Sequence, residues 1–243
     1  MAGHLDGIWN HLYTDSNTDS RDENMDSRKI EKRMEKMEAA ECPDYALLRR
    51  WAEHPDALIQ EQVAAVLVFG AGEPGREILL KLAADSEELV RAEAYDTLSV
   101  YPEDKVAETL KQAAVSESDD LARYFALVSY GDVIQELAPE DAEQKTFFQD
   151  RLQRDLAAVC RLGCEYALYQ LGEPGELERI LRYLDDPDYL VRCRAVCTLE
   201  EIADAENRGR ILEAVRGRRE KESAAPVRER MDELVGREKS IAD

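Results

Sequence analysis

Cysteines are the residues of this chain whose spacing comes nearest to a chemical motif. Cys160 and Cys164 form one i,i+4 pair, and Cys193 and Cys197 form a second. Four thiolates are a common ligand set for structural zinc. The two pairs are offset by two positions within the repeats described below, and this offset turns one pair by roughly 200° on its helix relative to the other. The spacing therefore favours buried or half-buried free thiols and predicts no metal site.

The histidines and the glycine-rich stretches form no catalytic or ligand-binding motif. The chain has three histidines, His4, His11 and His54, and none belongs to a nucleophile or His-Glu metal motif. The two glycine-rich stretches, 72–75 and 172–175, both read Gly-Glu-Pro-Gly, which suits a helix–helix break better than a phosphate-binding loop. The sequence predicts no catalytic residue and no cofactor.

The stretch from Asp186 to Leu199 indicates which elements must position these side chains. Asp186 can cap a helix, and Pro187 suits a first helical position. Val191, Ala195 and Leu199 then recur every four residues, which predicts one buried helical stripe with a small residue at a close helix contact.

Related stretches recur along the chain. Aligned on one position, they place these residues in a column: Gln60, Arg91, Arg123, Arg161, Arg192 and Arg228. The residue six positions earlier is acidic in all but the first repeat: His54, Asp85, Glu117, Asp155, Asp186 and Glu222. Apolar columns follow three and seven positions later. Successive separations of 31 to 38 residues predict a solenoid of helix pairs.

The remaining segments complete the predicted organisation. Second helices are expected at 74–84, 103–115, 174–184 and 207–217, and the long step between Arg123 and Arg161 predicts a longer second helix or an inserted turn at 138–150. Residues 1–27 are predicted as a flexible acidic segment, with a short amphipathic helix at 1–13 and a linker at 14–27. Residues 28–243 are predicted as one repeat domain.

These stretches resemble the HEAT-like repeats of bacterial proteins related to phycobilisome lyases. Asp186–Leu199 matches best and Asp85–Leu98 next, and the resemblance extends loosely over 43–238. It implies an all-α, right-handed α-α superhelix of ten to thirteen helices. It says little about function, because this fold serves many tasks.

The arginine column has two interpretations. Arg91, Arg123, Arg161, Arg192 and Arg228 could form an anion-binding row. The acidic column favours a structural ladder instead, in which each guanidinium binds a carboxylate or a helix-end carbonyl of its own or the adjacent repeat.

The second helices of HEAT-like arrays usually line the concave side. Three glutamates align there, seventeen residues after the arginine column: Glu77, Glu108 and Glu178. Lys81 and Arg182 follow four residues after Glu77 and Glu178, so the charges can form i,i+4 pairs that support a helix by about 0.2–0.5 kcal/mol each. Alternatively, the glutamates form an acidic stripe that binds a basic partner. Both interpretations stay open.

The negative charge of the chain argues against several classes of function. The net charge is −21, and residues 1–204 carry −22, which argues against nucleic-acid binding, a DNA-repair glycosylase and an anionic membrane surface. Five cysteines without a disulfide framework favour the cytoplasm. The leading hypothesis is a non-catalytic protein-interaction scaffold for a basic partner. The alternatives are an immunity-type inhibitor of a basic toxin or nuclease, and an accessory subunit similar to lyase-associated HEAT proteins.

Overall fold

The structure is a computed structural model that describes residues 23–70 and 72–241, with side chains described for 28–70 and 72–236. Within these residues every regular element is helical, and the prediction of an all-α fold is confirmed. The amphipathic segment predicted at 1–13, with His4 and His11, lies outside the described residues, as does the linker up to residue 22. The first helix begins at Glu23, so the last five residues of the predicted linker are helical.

Thirteen α-helices follow one another along the described residues. Their bounds are α1 Glu23–Ala39, α2 Tyr45–Trp51, α3 Ala57–Val66, α4 Glu73–Leu82, α5 Glu88–Leu98, α6 Asp104–Ser116, α7 Asp120–Leu137, α8 Ala142–Arg154, α9 Ala158–Gln170, α10 Leu177–Arg182, α11 Tyr189–Glu201, α12 Arg208–Arg219 and α13 Ala225–Ile241. One-turn 3-10 helices extend α3 and flank α10 on both sides. Each residue of the arginine column lies on a first helix: α3, α5, α7, α9, α11 or α13.

The helices divide into two compact units, the first ending at Pro139 and the second beginning at Glu140. In the first unit α3 packs against α1, α2, α4 and α5, and α7 packs against α5 and α6. In the second unit α9 packs against α8, α10 and α11, and α13 packs against α11 and α12. Stacked helix pairs thus build each unit. The sequence pattern, which predicts one repeat domain over 28–243, carries no signal for this division.

Aspartates begin many of the helices. Each accepts a hydrogen bond from a backbone N–H two or three residues later, which satisfies a donor that has no partner inside the helix. These caps are Asp44, Asp56, Asp119, Asp141 and Asp188.

The cap predicted for α11 was wrong by two residues. Asp188 is the cap, and the helix begins at Tyr189, so Pro187 lies outside it. The carboxylate of Asp186 accepts the N–H of Asp188 in the preceding turn, at 2.9 Å. Starting the helix after Asp188 uses both carboxylates, because Asp188 is then free to accept the N–H of Leu190.

The apolar columns lie in the core, as the alignment predicts. The side chains three positions after the arginine column are all fully buried: Val63, Ala94, Ala126, Cys164, Ala195 and Met231. Seven positions after, Leu67, Leu98, Tyr130, Leu168 and Leu199 are also buried, whereas Val235 is half-buried.

The extra residues between Arg123 and Arg161 lengthen a first helix rather than a second one. Helix α7 has 18 residues, compared with 11 in α5 and 13 in α9. Of the additional residues, Val133 and Ile134 are buried in the first unit, whereas 135–137 are exposed. Neither the longer second helix nor the inserted turn predicted at 138–150 is found, because α8 has 13 residues, as α6 does, and the excess lies in α7.

Candidate functional site

Two members of the arginine column, Arg91 and Arg192, join successive repeats. In the first unit the Arg91 guanidinium donates to both carboxylate oxygens of Glu117, from Nε at 2.7 Å and from Nη2 at 2.9 Å. Its remaining nitrogen donates to the carbonyls of Asp85 and Ser86 at 2.9 and 2.8 Å. One side chain thereby holds the loop before its own helix and the loop before the next first helix.

The same arrangement recurs in the second unit at Arg192. Its Nε and Nη2 donate to Glu222 at 2.7 and 2.8 Å, and Nη1 donates to the carbonyls of Asp186 and Pro187 at 2.7 and 3.1 Å. The Glu222 side chain is fully buried. The bidentate hydrogen bond from Arg192 lowers the pKa of Glu222 to about 2, and the bond from Arg91 does the same for Glu117.

The other members of the column bind carbonyls of the turn that precedes their own helix. Arg123 donates to the Glu117 carbonyl at 2.8 Å, and Arg161 donates to that of Leu156 at 2.7 Å. Arg228 donates to the Glu222 carbonyl from Nε at 3.1 Å.

The first repeat has glutamine in the column. The amide nitrogen of Gln60 donates to the Ala52 carbonyl at 3.2 Å and to the Asp85 carboxylate at 3.0 Å. The Asp85 bond joins the first repeat to the second, as the Arg91–Glu117 pair joins the second to the third. An amide therefore takes the place of a guanidinium in this repeat.

Three of the predicted second-helix charges, Glu77, Lys81 and Glu178, pair with residues outside their own helix and not with each other at i,i+4 spacing. Lys81 binds Glu53 at 2.6 Å instead of Glu77, and Glu77 lies 3.7 Å from Arg49. In the second unit Glu178 accepts from Arg210 at 3.2 and 3.1 Å.

Two of the charged residues predicted on the second helices have no ion-pair partner among the described residues. Glu108 and Arg182 are exposed, and among the described residues neither takes part in an ion pair. Glu77 and Glu108 belong to the first unit, and Glu178 belongs to the second.

A surface that sequence reasoning missed lies where the first helices of the first unit begin. Gln60 and Arg91 bring together the loops 53–56, 85–88 and 117–120, which we call the acidic edge. Lys81, Arg91 and Arg123 from the adjoining helices pair with three of the eight carboxylates in these loops. The carboxylates of the acidic edge are Glu53, Asp56, Asp85, Glu87, Glu88, Glu117, Asp119 and Asp120. Leu58, 49% exposed, lies beside it, and Leu89 and Leu121 take the equivalent half-buried positions on the next two first helices. The signal in the sequence was the run of acids that follows each member of the acidic column.

All five cysteines are free thiols. Cys160, Cys164 and Cys193 are buried, Cys197 is partly exposed and Cys42 is exposed. Over the described part of the chain, no group of three or more His, Cys, Asp or Glu side chains is placed to hold a metal ion. His54, the histidine within that part, accepts the backbone N–H of Asp56 at Nδ1.

The fold is found again in a solved structure. The complex of CpcE and CpcF of phycocyanin lyase from Nostoc sp. PCC7120 contains a chain that matches this one with a TM-score of 0.55 and 16% identity, over 93% of this chain and 97% of that chain. This chain has a HEAT-like repeat fold. The predicted resemblance to phycobilisome-lyase-type repeats is thus confirmed for the fold.

Other comparisons add little to this HEAT-like assignment. A structure of the Escherichia coli protein YibA matches with a TM-score of 0.47 and 15% identity, over 90% of this chain and 75% of that one. No protein-family model and no curated protein matches the chain. Among the described HEAT-like helices, none is both long and apolar enough to cross a membrane.

Proposed function

We propose that the chain is a non-catalytic interaction module that binds a basic protein surface through the acidic edge of its first unit. The observation that carries this proposal is the joining of three carboxylate-rich loops by Gln60 and Arg91. The loop acids exceed what helix capping requires, because one Asp at each helix start is enough for the cap. Glu87 and Glu88 are exposed and make no capping bond, so they are available to a partner.

An exposed apolar side chain lies beside the carboxylates of the acidic edge. Leu58 is about half exposed, and protein interfaces combine such apolar side chains with a polar rim. A carboxylate-rich rim would speed the encounter with a basic partner and would make binding weaken as salt is added.

Charge reversal tests this function. Glu87→Lys combined with Glu88→Lys reverses two charges of the acidic edge, and Glu77→Lys combined with Glu108→Lys reverses two charges on the second helices of the same unit. Each variant and the wild type would capture proteins at low salt from an extract of the organism that encodes the chain, with quantification by mass spectrometry. We expect the wild type and the second-helix variant to retain basic proteins that the edge variant loses.

The other outcomes are equally informative. Loss with the second-helix variant alone would move the binding surface to the glutamates at 77 and 108. Equal capture by all three proteins, or capture insensitive to salt, would contradict a basic partner bound by charge. Far-UV circular dichroism of both variants serves as the folding control.

A second candidate is an accessory subunit similar to lyase-associated HEAT proteins. The similarity in fold to a chain of the CpcE–CpcF complex, over 97% of that chain, supports it. A titration of the purified protein with a linear tetrapyrrole, followed by absorbance, tests it. A shifted, saturable absorption band would favour this candidate over the interaction module.

A further inference from the structure

Exposed apolar side chains collect where the first helices of the second unit begin. Among the described residues Leu156 is the most exposed large apolar side chain, at 91%, and Tyr189 and Leu190 are 38% and 47% exposed. Smaller or cyclic side chains at the starts of α11 and α13 are exposed beside them. We call this set the apolar edge: Leu156, Pro187, Tyr189, Leu190, Ala225 and Pro226. Exposed apolar patches of this kind are typical of contact surfaces.

The packing of the helices arranges the apolar edge as a row. Helix α11 packs against both α9 and α13. Because α10 and α12 return the chain between them, these three first helices run parallel and begin at the same end. Leu156 therefore lies at one end of the row, Tyr189 and Leu190 lie in the middle, and Ala225 and Pro226 lie at the other end.

The carboxylates at this edge are largely withdrawn from its surface. The acidic column contributes Asp155 and Glu222, whose side chains are 3% and 0% exposed. Asp155 pairs with Arg151 at 2.9 Å, and Glu222 pairs with its partner in the arginine column. The other two, Asp186 and Asp188, each accept a backbone N–H. This edge thus presents fewer exposed carboxylates than the acidic edge of the first unit.

We propose that the apolar edge is a self-association surface, on which a second copy of this chain docks about a two-fold axis. An axis at the start of α11 lays the two rows against each other in opposite directions. Leu156 then meets the smaller Ala225 and Pro226 of the partner subunit, and the two Leu190 side chains meet near the axis. Two chains with a net charge of −21 repel each other, and they approach best where the column carboxylates are already neutralised.

The size of the apolar edge predicts a weak, reversible dimer. Stable interfaces use roughly 20–30 residues on each side, far more than this edge supplies. We therefore expect half of the protein to be dimeric at a concentration on the order of 100 µM. Asp186 and Asp188 of both copies lie near the axis, so added salt should strengthen the dimer by screening their repulsion. Binding of a basic partner to the acidic edge should respond to salt in the opposite direction.

Sedimentation velocity of the full-length protein tests this proposal. Samples from about 5 to 500 µM would be compared at about 50 and 500 mM NaCl, with a reducing agent that prevents disulfides through the exposed Cys42. The variant Leu156→Glu, Leu190→Glu should stay monomeric throughout. Both sites are exposed, and a glutamate at 190 lies in the first turn of α11, where the helix dipole favours negative charge. The variant should therefore fold, which circular dichroism checks.

The first unit offers a matched control. Leu58 and Leu137 are 49% and 40% exposed there, and the variant Leu58→Glu, Leu137→Glu adds the same charge to the chain. It should dimerise as the wild type does. A wild type that is still monomeric at about 500 µM would overturn the proposal. So would a dimer that survives Leu156→Glu, Leu190→Glu, loss of the dimer in the control variant, or growth beyond the dimer, which indicates head-to-tail contacts.

Discussion

Arg192 and Glu222 link two successive repeats of the second unit through a buried ion pair. Arg192→Ala should destabilise the protein by about 3 kcal/mol, because it leaves a fully buried carboxylate without its bidentate partner. Arg218, 3.4 Å from Glu222, compensates for part of that loss. Denaturant unfolding followed by circular dichroism measures the effect.

An exposed pair of the same unit is the control for this prediction. Arg210 also binds its glutamate with two hydrogen bonds, but both side chains are about half exposed. Arg210→Ala should therefore destabilise the protein far less than Arg192→Ala does. Equal losses in the two variants would show that the arginine column contributes no more to stability than an ordinary surface charge.

Glu165 is a buried carboxyl in the second unit. Its side chain is 6% exposed, and its Oε2 has no hydrogen-bond partner among the described residues. Burial, followed by the nearby Glu176 carboxylate, raises its pKa to about 7, while Arg161, Arg179 and a hydrogen bond from Tyr183 act in the opposite direction. A raised carboxyl pKa favours the folded state below pH 4.5, and that contribution is lost as pH rises through 7.

The variant Glu165→Gln should therefore unfold at a higher temperature than wild type at pH 8. The advantage corresponds to about 1–3 kcal/mol, because an amide avoids the cost of a buried charge. At pH 5 the advantage should vanish. Glu178→Gln, at an exposed position of the same unit, should show no such dependence, and parallel pH profiles for wild type and Glu165→Gln would contradict the prediction.

At the scale of elements, the two Gly-Glu-Pro-Gly breaks differ in how tightly they are packed. Gly72 and Gly172 both have positive φ, at 73° and 89°, and in each case the next helical segment begins within two residues. Gly75 is buried, and a Cβ there would collide with the hydroxyl of Tyr101, which donates to the Leu67 carbonyl at 2.9 Å. A Cβ on Gly175 would contact nothing within 4 Å.

Alanine substitution should separate the two breaks. Gly75→Ala should destabilise the protein by about 1–3 kcal/mol through overpacking, and Gly175→Ala should be neutral or stabilise it by up to about 1 kcal/mol. Thermal unfolding of the two variants gives the comparison. In a Tyr101→Phe background, where the hydroxyl is removed, Gly75→Ala should cost less. The same cost in both backgrounds would point to backbone strain instead of the Tyr101 contact.

At the scale of the whole molecule, 53 acidic side chains face 32 basic ones. Repulsion among exposed carboxylates disfavours the compact state, and salt screens exposed charges more than buried pairs. The melting temperature should therefore rise by a few degrees between 20 and 300 mM NaCl. The Glu87→Lys, Glu88→Lys variant, with less repulsion at the acidic edge, should show a shallower rise. A melting temperature that falls over this range would mean that exposed ion pairs outweigh the repulsion.

The sequence alone determined where the first helices of the repeats lie and which of their faces are buried. An apolar stripe at helical spacing is a local property, so the columns at Ala94 and Ala195 predicted the first helices and their core positions. The Gly and Pro of each Gly-Glu-Pro-Gly stretch marked the breaks for the same reason, because φ preferences act within a few residues.

Only the tertiary structure decided which charges meet. Lys81 binds Glu53, 28 residues earlier, instead of Glu77 one turn away, and Arg230 lies 3.4 Å from Glu200 of a different helix. The acidic edge likewise exists because Arg91 reaches Glu117 across 26 residues of sequence. Such partners depend on how helices pack against each other, and helical periodicity carries no information about distances between side chains of different helices.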